Sequence, residues 1–279
     1  MNRIFSTKLI ALMLALVLVL VFAGCGKKTS SSEEPSSSSS DASSSSASSE
    51  EEEDDGDVVR IFQIEKIDEG IKRNADTKGW LHIPNTEIDD AVLQAKDNDY
   101  YLRLTEDKVY SIFGCYYADF RCKVGARDNL SRNTIIYGHS DYRDDPKGKK
   151  FSQLFHYAQD IDFVRNNPYV YFSTVEDDMI WQVFAVFYTH IDFNYIMDNP
   201  TDEEFKHIIS EAKARSEYII DVPVTTDDKI LTLSTCTGLY KQPKEDYRMV
   251  VMAKLLPSNE ISSNKLTMKV EPNPAPKKS

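Results

Sequence analysis

What the sequence lacks narrows its reading first. It has no long basic run and no basic patch interleaved with aromatics, which excludes nucleic acid as a partner. No internal repeat is visible. No metal site is evident either: His139 has no second ligand at i+3 or i+4, and Asp141 and Asp144 read more simply as loop charges. No metal and no cofactor is implied. Cysteine is scarce, at four residues in a chain of 279. The globular part also lacks a strong charge of one sign. Residues 1–57 carry four basic and ten acidic side chains, so they account for half of the formal net charge of -12. The remaining stretch of mixed composition is long enough to bury one sizeable core.

The amino terminus is unlike the rest. Arg3 and Lys8 precede an unbroken small-and-apolar run from Leu9 to Gly24, which meets Cys25. A charged segment followed by an apolar one is the pattern of an export signal. Two readings of it stand side by side. As a helix the run measures roughly 24 Å, near the lower limit for a tilted membrane span. Alternatively, Phe22-Ala23-Gly24-Cys25 resembles a lipobox, with Phe where a branched aliphatic is usual. Either reading predicts a protein tethered to the extracytoplasmic face of a cell membrane through residues 1–26. Residues 27–57 are serine-rich and then acidic (Glu50 to Asp55), a composition that cannot bury apolar surface and reads as a flexible stalk.

Order is expected over 58–258. Val58, Ile61, Ile64, Ile67 and Ile71 recur at helical spacing behind Asp57 as N-cap. From Gly79-Trp80 onward, aromatic and β-branched runs separated by turn residues predict strands. These are Trp80–Ile83, Ala91–Leu93, Ser111–Tyr117, Asn133–Tyr137, Tyr169–Ser173, Ile180–Thr189, Lys229–Thr235 and Arg248–Leu255. So many short strands with few helices point to a mainly β protein built on a closed or nearly closed barrel. One helix interrupts them at Asp202–Arg215, with Thr201 and Glu204 forming a capping box. The tail, 259–279, is rich in proline and polar residues and is expected to be disordered.

Each cysteine has a different setting. Cys25 belongs to the amino-terminal anchor. Cys115 and Cys122 lie seven apart across a strand-turn region, where a disulfide and two buried thiols are both open readings. Cys236 ends a strand, Leu231-Thr232-Leu233-Ser234-Thr235-Cys236, where a sulfur can be held rigidly at a cleft. A thiolate nucleophile needs a base or cation beside it. His139 closes another strand, Asn133-Thr134-Ile135-Ile136-Tyr137-Gly138-His139, and imidazole suits proton exchange with a thiol and a leaving amine. Arg248, at the start of the strand Met249–Leu255, could donate to an oxyanion.

Taken together, these strings closely resemble the sortase family, and most of all its class B. Gly79-Trp80-Leu81-His82-Ile83-Pro84 before Ile88-Asp89, Asp97-Asn98-Asp99-Tyr100-Tyr101-Leu102 and Ser111-Ile112-Phe113 extend the resemblance over residues 75–256. It implies an eight-stranded barrel with an N-terminal helix and a helix inserted between late strands. It also implies a cysteine transpeptidase with Cys236 as nucleophile, His139 as its partner and Arg248 as oxyanion stabiliser. The implied donor is an exported protein with a C-terminal sorting pentapeptide, cleaved after Thr, and the implied acceptor is a peptidoglycan-precursor amine. Leu102, Tyr195, Ile196 and Ser234 are the implied contacts to the sorting peptide. The segment Ser140–Lys150 is longer and more charged than the resemblance leads one to expect. Two other readings use the same features: an exported cysteine peptidase with water as acceptor, and a non-catalytic surface lipoprotein that binds a ligand in the barrel.

Overall fold

Alternating apolar residues and the turns between them build a barrel in the computed structural model. It describes residues 58–60, 63–141, 143–239, 246–262, 265 and 267–277. The amino-terminal run, the serine-rich stalk and Asp57 lie outside these residues.

In chain order the elements begin with β1 (Val58–Arg60), α1 (Ile64–Arg73), β2 (Thr77–His82), β3 (Asp89–Leu93), β4 (Tyr116–Ala118) and β5 (Asn133–Tyr137). Two short helices follow, α2 (Phe155–Gln159) and α3 (Ile161–Asn166), then β6 (Tyr169–Thr174) and β7 (Ile180–His190). Next come α4 (Asp202–Arg215), β8 (Tyr218–Ile220), β9 (Ile230–Cys236), β10 (Tyr247–Leu255), β11 (Glu260–Ser262) and β12 (Val270–Pro272). Eight of the strands close on themselves in the order β10-β7-β6-β2-β3-β4-β5-β9. Closure leaves the barrel no free edge. The pairs β3·β4 and β5·β9 are parallel and the others antiparallel. Leu81, Ile136, Phe172, Trp181, Phe184, Leu231 and Val251 fill one continuous core.

The α4 helix begins as its capping box predicts: the Thr201 hydroxyl accepts from Glu204 N–H, and the Glu204 carboxylate accepts from Thr201 N–H at 2.8 Å. Its stripe of Phe205, Ile208, Ile209 and Ala212 is buried.

Four expectations are corrected. The first helix starts at Ile64 rather than near Val58, because Val58–Arg60 is drawn into pairing with Glu260–Ser262. The strand expected over Ser111–Tyr117 is confined to Tyr116–Ala118. Ahead of it Gly114 takes φ +56°, and a Cβ there would lie 2.7 Å from the carbonyl oxygens of Tyr101 and Leu102. The tail is not disordered throughout, since β11 pairs with β1 and β12 with β8. Ile261 (4 % exposed) and Val270 (2 %) supply the apolar anchors that the proline-rich composition masks. Finally, the tethered location expected from the amino-terminal run is withdrawn. Among the described residues no helix is long and apolar enough to cross a membrane. Even α4 spans only 14 residues and carries Asp202, Glu203 and Glu204 in its first turn.

The tail's role in stability can be measured. Ending the chain at Ser258 removes Ile261, Val270, and the carbonyls of Lys265 and Val270 that accept from Tyr169 and Arg165. Burial of the two side chains alone implies a loss of about 3 kcal/mol. For a domain of this size that is a fall of roughly 5–10 °C in Tm relative to the full chain, read by circular dichroism.

Candidate active site

The register of three neighbouring strands sets the geometry. In the parallel pair β5·β9, Tyr137 stands opposite Ser234. His139 and Cys236 each lie two residues further along, so parallel pairing delivers both to the same end of the barrel. In the antiparallel pair β9·β10, Arg248 is the direct partner of Cys236. The Thr235 hydroxyl donates to the Gly138 carbonyl at 2.8 Å and fastens the two strand ends together. The glycine before His139 has a steric cause: a Cβ there would meet the Phe151 ring at 2.8 Å and the Tyr116 ring at 2.9 Å.

Cys236, His139 and Arg248 line one cleft of about 330 Å³, and Leu102, Tyr195, Ile196 and Ser234 line it with them. All seven residues singled out in the sequence are therefore brought together. Cys236 is half-buried with a free thiol. Cys115 and Cys122 are also free, but both are fully enclosed. Burial pushes the Cys115 thiol far up and the Cys122 thiol to about 12, so neither supplies thiolate near neutral pH. The structure holds the two as separate thiols.

His139 Nε2 lies 2.8 Å from the Leu102 carbonyl. A carbonyl can only accept, so Nε2 carries the hydrogen and Nδ1 the lone pair. Burial lowers the pKa of His139; the bond to Leu102 opposes this shift, and the nearby Arg103 charge adds to it. The resting imidazole is accordingly neutral and able to take a proton. The Arg248 guanidinium is half-buried, and one of its nitrogens donates to the Tyr247 carbonyl at 2.9 Å. Tyr195 is buried in the cleft floor with its hydroxyl 2.8 Å from Ser234 Oγ. Burial pushes that phenol up to about 12, while the Ser234 bond and the Arg248 charge pull the other way.

Several lining residues escaped sequence reasoning, among them Asn98, Tyr117, Tyr137, Phe193 and Asn194. Behind them lies a carboxylate that no local pattern distinguishes. Asp119 is fully buried and accepts from Arg121 Nε at 2.9 Å, Tyr137 Oη at 2.9 Å and Asn98 Nδ2 at 3.0 Å. Burial alone would raise its pKa, but these donors hold it below the ordinary range. Arg121, itself exposed, also donates to the Ile196 carbonyl at 3.1 Å, so one ion pair with a buried carboxylate ties together the two walls that carry Asn98 and Ile196.

Comparison with known proteins bears directly on this site. The Sortase domain model matches residues 81–256. Sortase B of Listeria monocytogenes is 37% identical over 186 residues, covering 66% of this chain and 72% of that protein. Sortase B of Staphylococcus aureus is 33% identical over 186 residues, with the same coverage of 66% and 72%. Among solved structures, the S. aureus sortase B–substrate complex superposes with a TM-score of 0.59 at 31% identity, covering 69% of this chain and 85% of that one. A sortase B complexed with triglycine gives 0.60 at 30% identity, covering 70% and 86%.

The neutral His139 has a consequence for stability. In the unfolded chain it titrates near its ordinary value of about 6.5, above its folded value. On acidification the unfolded chain therefore takes up its proton first, and stability falls as pH drops through that value. Urea midpoints should be lower at pH 5.5 than at pH 7.5. His82 and His156, shifted in the same direction by burial, contribute part of the difference. His139→Gln should narrow the gap while keeping a donor for Leu102; an unchanged gap would assign the whole effect to the other two.

Proposed function

The chain belongs to the sortase family, as a cysteine transpeptidase of class B, and on that premise we propose that Cys236 is its nucleophile, His139 its proton carrier and Arg248 its oxyanion donor. The observation that supports these roles best is the strand register, which puts the three side chains at adjacent strand ends around one cleft.

The chemistry follows from their protonation. Neutral His139 takes the Cys236 thiol proton as the sulfur attacks the carbonyl carbon of the sorting-peptide threonine. The carbonyl oxygen becomes an oxyanion, and the guanidinium of Arg248 stabilises it by charge and hydrogen bonding. When the intermediate collapses, the carbon–nitrogen bond breaks and the leaving amine takes the proton from His139. A thioester to Cys236 remains. An incoming amine attacks the same carbon, gives a proton to His139 and expels the sulfur, which recovers that proton. An amide replaces the original peptide bond, and the enzyme is unchanged.

Leu102, Tyr195, Ile196 and Ser234 hold the sorting peptide along the cleft. Tyr195 and Ser234, hydrogen-bonded to one another, form a polar point beside Leu102 and Ile196. A relative solved as a substrate complex and another solved with triglycine support a sorting-signal donor and an amine acceptor for this chain. The finer assignment is a peptidoglycan-precursor amine as the physiological acceptor, so that the product is a protein joined to the cell wall.

The test uses the full chain with fluorogenic pentapeptides containing threonine, with and without triglycine or a diaminopimelate amine. Cys236→Ala should abolish turnover. Removing an oxyanion donor or a proton carrier typically costs 10²–10³-fold or more in kcat, and about that loss is expected for Arg248→Ala and His139→Ala. Added amine should divert the acyl product from acid to amide. Turnover that survives Cys236→Ala would sink the assignment of the nucleophile, and products unaffected by any amine would sink the transfer step.

A further inference from the structure

The segment between His139 and α2 is long and charged, and two of its side chains, Ser140 and Asp144, bind Cys236 and the two residues after it. Asp144 is the centre of this arrangement. Its side chain accepts from the Thr237 hydroxyl at 2.6 Å and from the Gly238 N–H at 2.8 Å. Thr237 Oγ1 in turn accepts from Leu239 N–H at 3.1 Å. The Asp144 carbonyl accepts from Gln159 Nε2 at 2.7 Å, which anchors the loop to α2. Nearer the histidine, the Ser140 hydroxyl donates to the carbonyl of Cys236 itself at 2.5 Å.

The backbone is shaped for this contact. Asp144 has φ +54°, a left-handed conformation that Asp and Asn tolerate better than most residues. Asp141 steadies the turn by accepting from Arg143 N–H at 3.0 Å and by donating its own N–H to Ser152 Oγ at 2.8 Å. Asp144 is 9 % exposed and Thr237 3 %, so the bonds between them are shielded from competing water.

We infer that Asp144 is a positioning residue for the nucleophile. By gripping Thr237 and Gly238 it fixes the peptide that follows Cys236, and with Ser140 on the Cys236 carbonyl it holds the sulfur-bearing residue from the same loop that carries His139. The loop thus acts as a clamp that makes the separation of thiol and imidazole independent of how the chain continues beyond Gly238. This inference rests on Cys236 being the nucleophile. If that reading fails, the wild-type chain shows no Cys236-dependent turnover; if only the clamp fails, the wild type is active and the variants below tell.

The experiment compares full-length wild type, Asp144→Ala, Asp144→Asn and Thr237→Val. It reads kcat and KM on the sorting peptide, the pH profile of Cys236 alkylation by iodoacetamide, and the fraction folded from urea titration. A misplacement of about 1 Å can cost 10²-fold in rate, so Asp144→Ala is expected to lower kcat per folded molecule by roughly 10–100-fold with KM within about twofold. Its alkylation profile should shift, because the thiol and imidazole no longer share a fixed distance. Asn can accept from Gly238 N–H and donate to Thr237 Oγ1, so Asp144→Asn should recover activity to within about threefold of wild type. Thr237→Val, which loses one of the two bonds, should fall between them. Loss of activity matching only the loss of folded protein, with an unshifted alkylation profile, would overturn the inference. So would an Asp144→Asn variant as impaired as Asp144→Ala, because the carboxylate's charge rather than its hydrogen bonds would then be responsible.

Discussion

The parallel pairing of β5 with β9 is the constraint on which the site depends. Parallel neighbours cannot be joined by a tight turn, so a long crossover must separate them. Here Gly138 and Thr235, joined by a hydrogen bond at the strand ends, are 97 residues apart in sequence. The two short helices, β6, β7, α4 and β8 all lie within that crossover. In return, both strands run in the same direction and stop at the same level, so a histidine and a cysteine far apart in sequence reach one cleft, each within two residues of a paired strand position. The antiparallel strand β10 then supplies the arginine by direct pairing with the cysteine.

Buried charges around the cleft serve the same geometry. Lys150 follows the histidine loop and reaches Asp90 at 3.0 Å and Glu106 at 2.8 Å, with its ammonium 4.7 Å from the centre of the Tyr116 ring. Burial alone would lower its pKa, but the two carboxylates hold it above the ordinary lysine value. Glu106 belongs to the same excursion as Leu102, whose carbonyl orients His139. Asp119 and Arg121 do the corresponding work for the other wall. Ion pairs with at least one buried partner are weak sources of net stability, and holding separate segments in one arrangement is their better-attested use.

Much of this was legible in the sequence because it depends on local pattern. Strand runs rich in β-branched and aromatic residues gave the eight barrel strands, and Thr201 with Glu204 marked the start of α4. Cys236 and His139 stood out as polar residues closing apolar strands. What was not legible depends on long-range partners. Nothing local distinguishes Asp119 from the exposed acids near it, or Asp144 from an ordinary loop charge. Val58–Arg60 carries a helical spacing and still pairs as a strand, because Glu260–Ser262 is there to receive it. The apolar amino-terminal run invited a location that the described helices do not support.

The barrel is unevenly sewn. Its β7–β10 seam runs through nine residue pairs, whereas β4 is joined to β3 by two pairs and to β5 by two more. A closed sheet unzips where the fewest ladder bonds must break together. The weak stitches flank Tyr117, on the cleft wall beside the histidine strand. Breathing of the cylinder is therefore cheapest at β4, in one wall of the cleft. The cysteine and arginine strands, two and three places further round, stay laced by seven pairs.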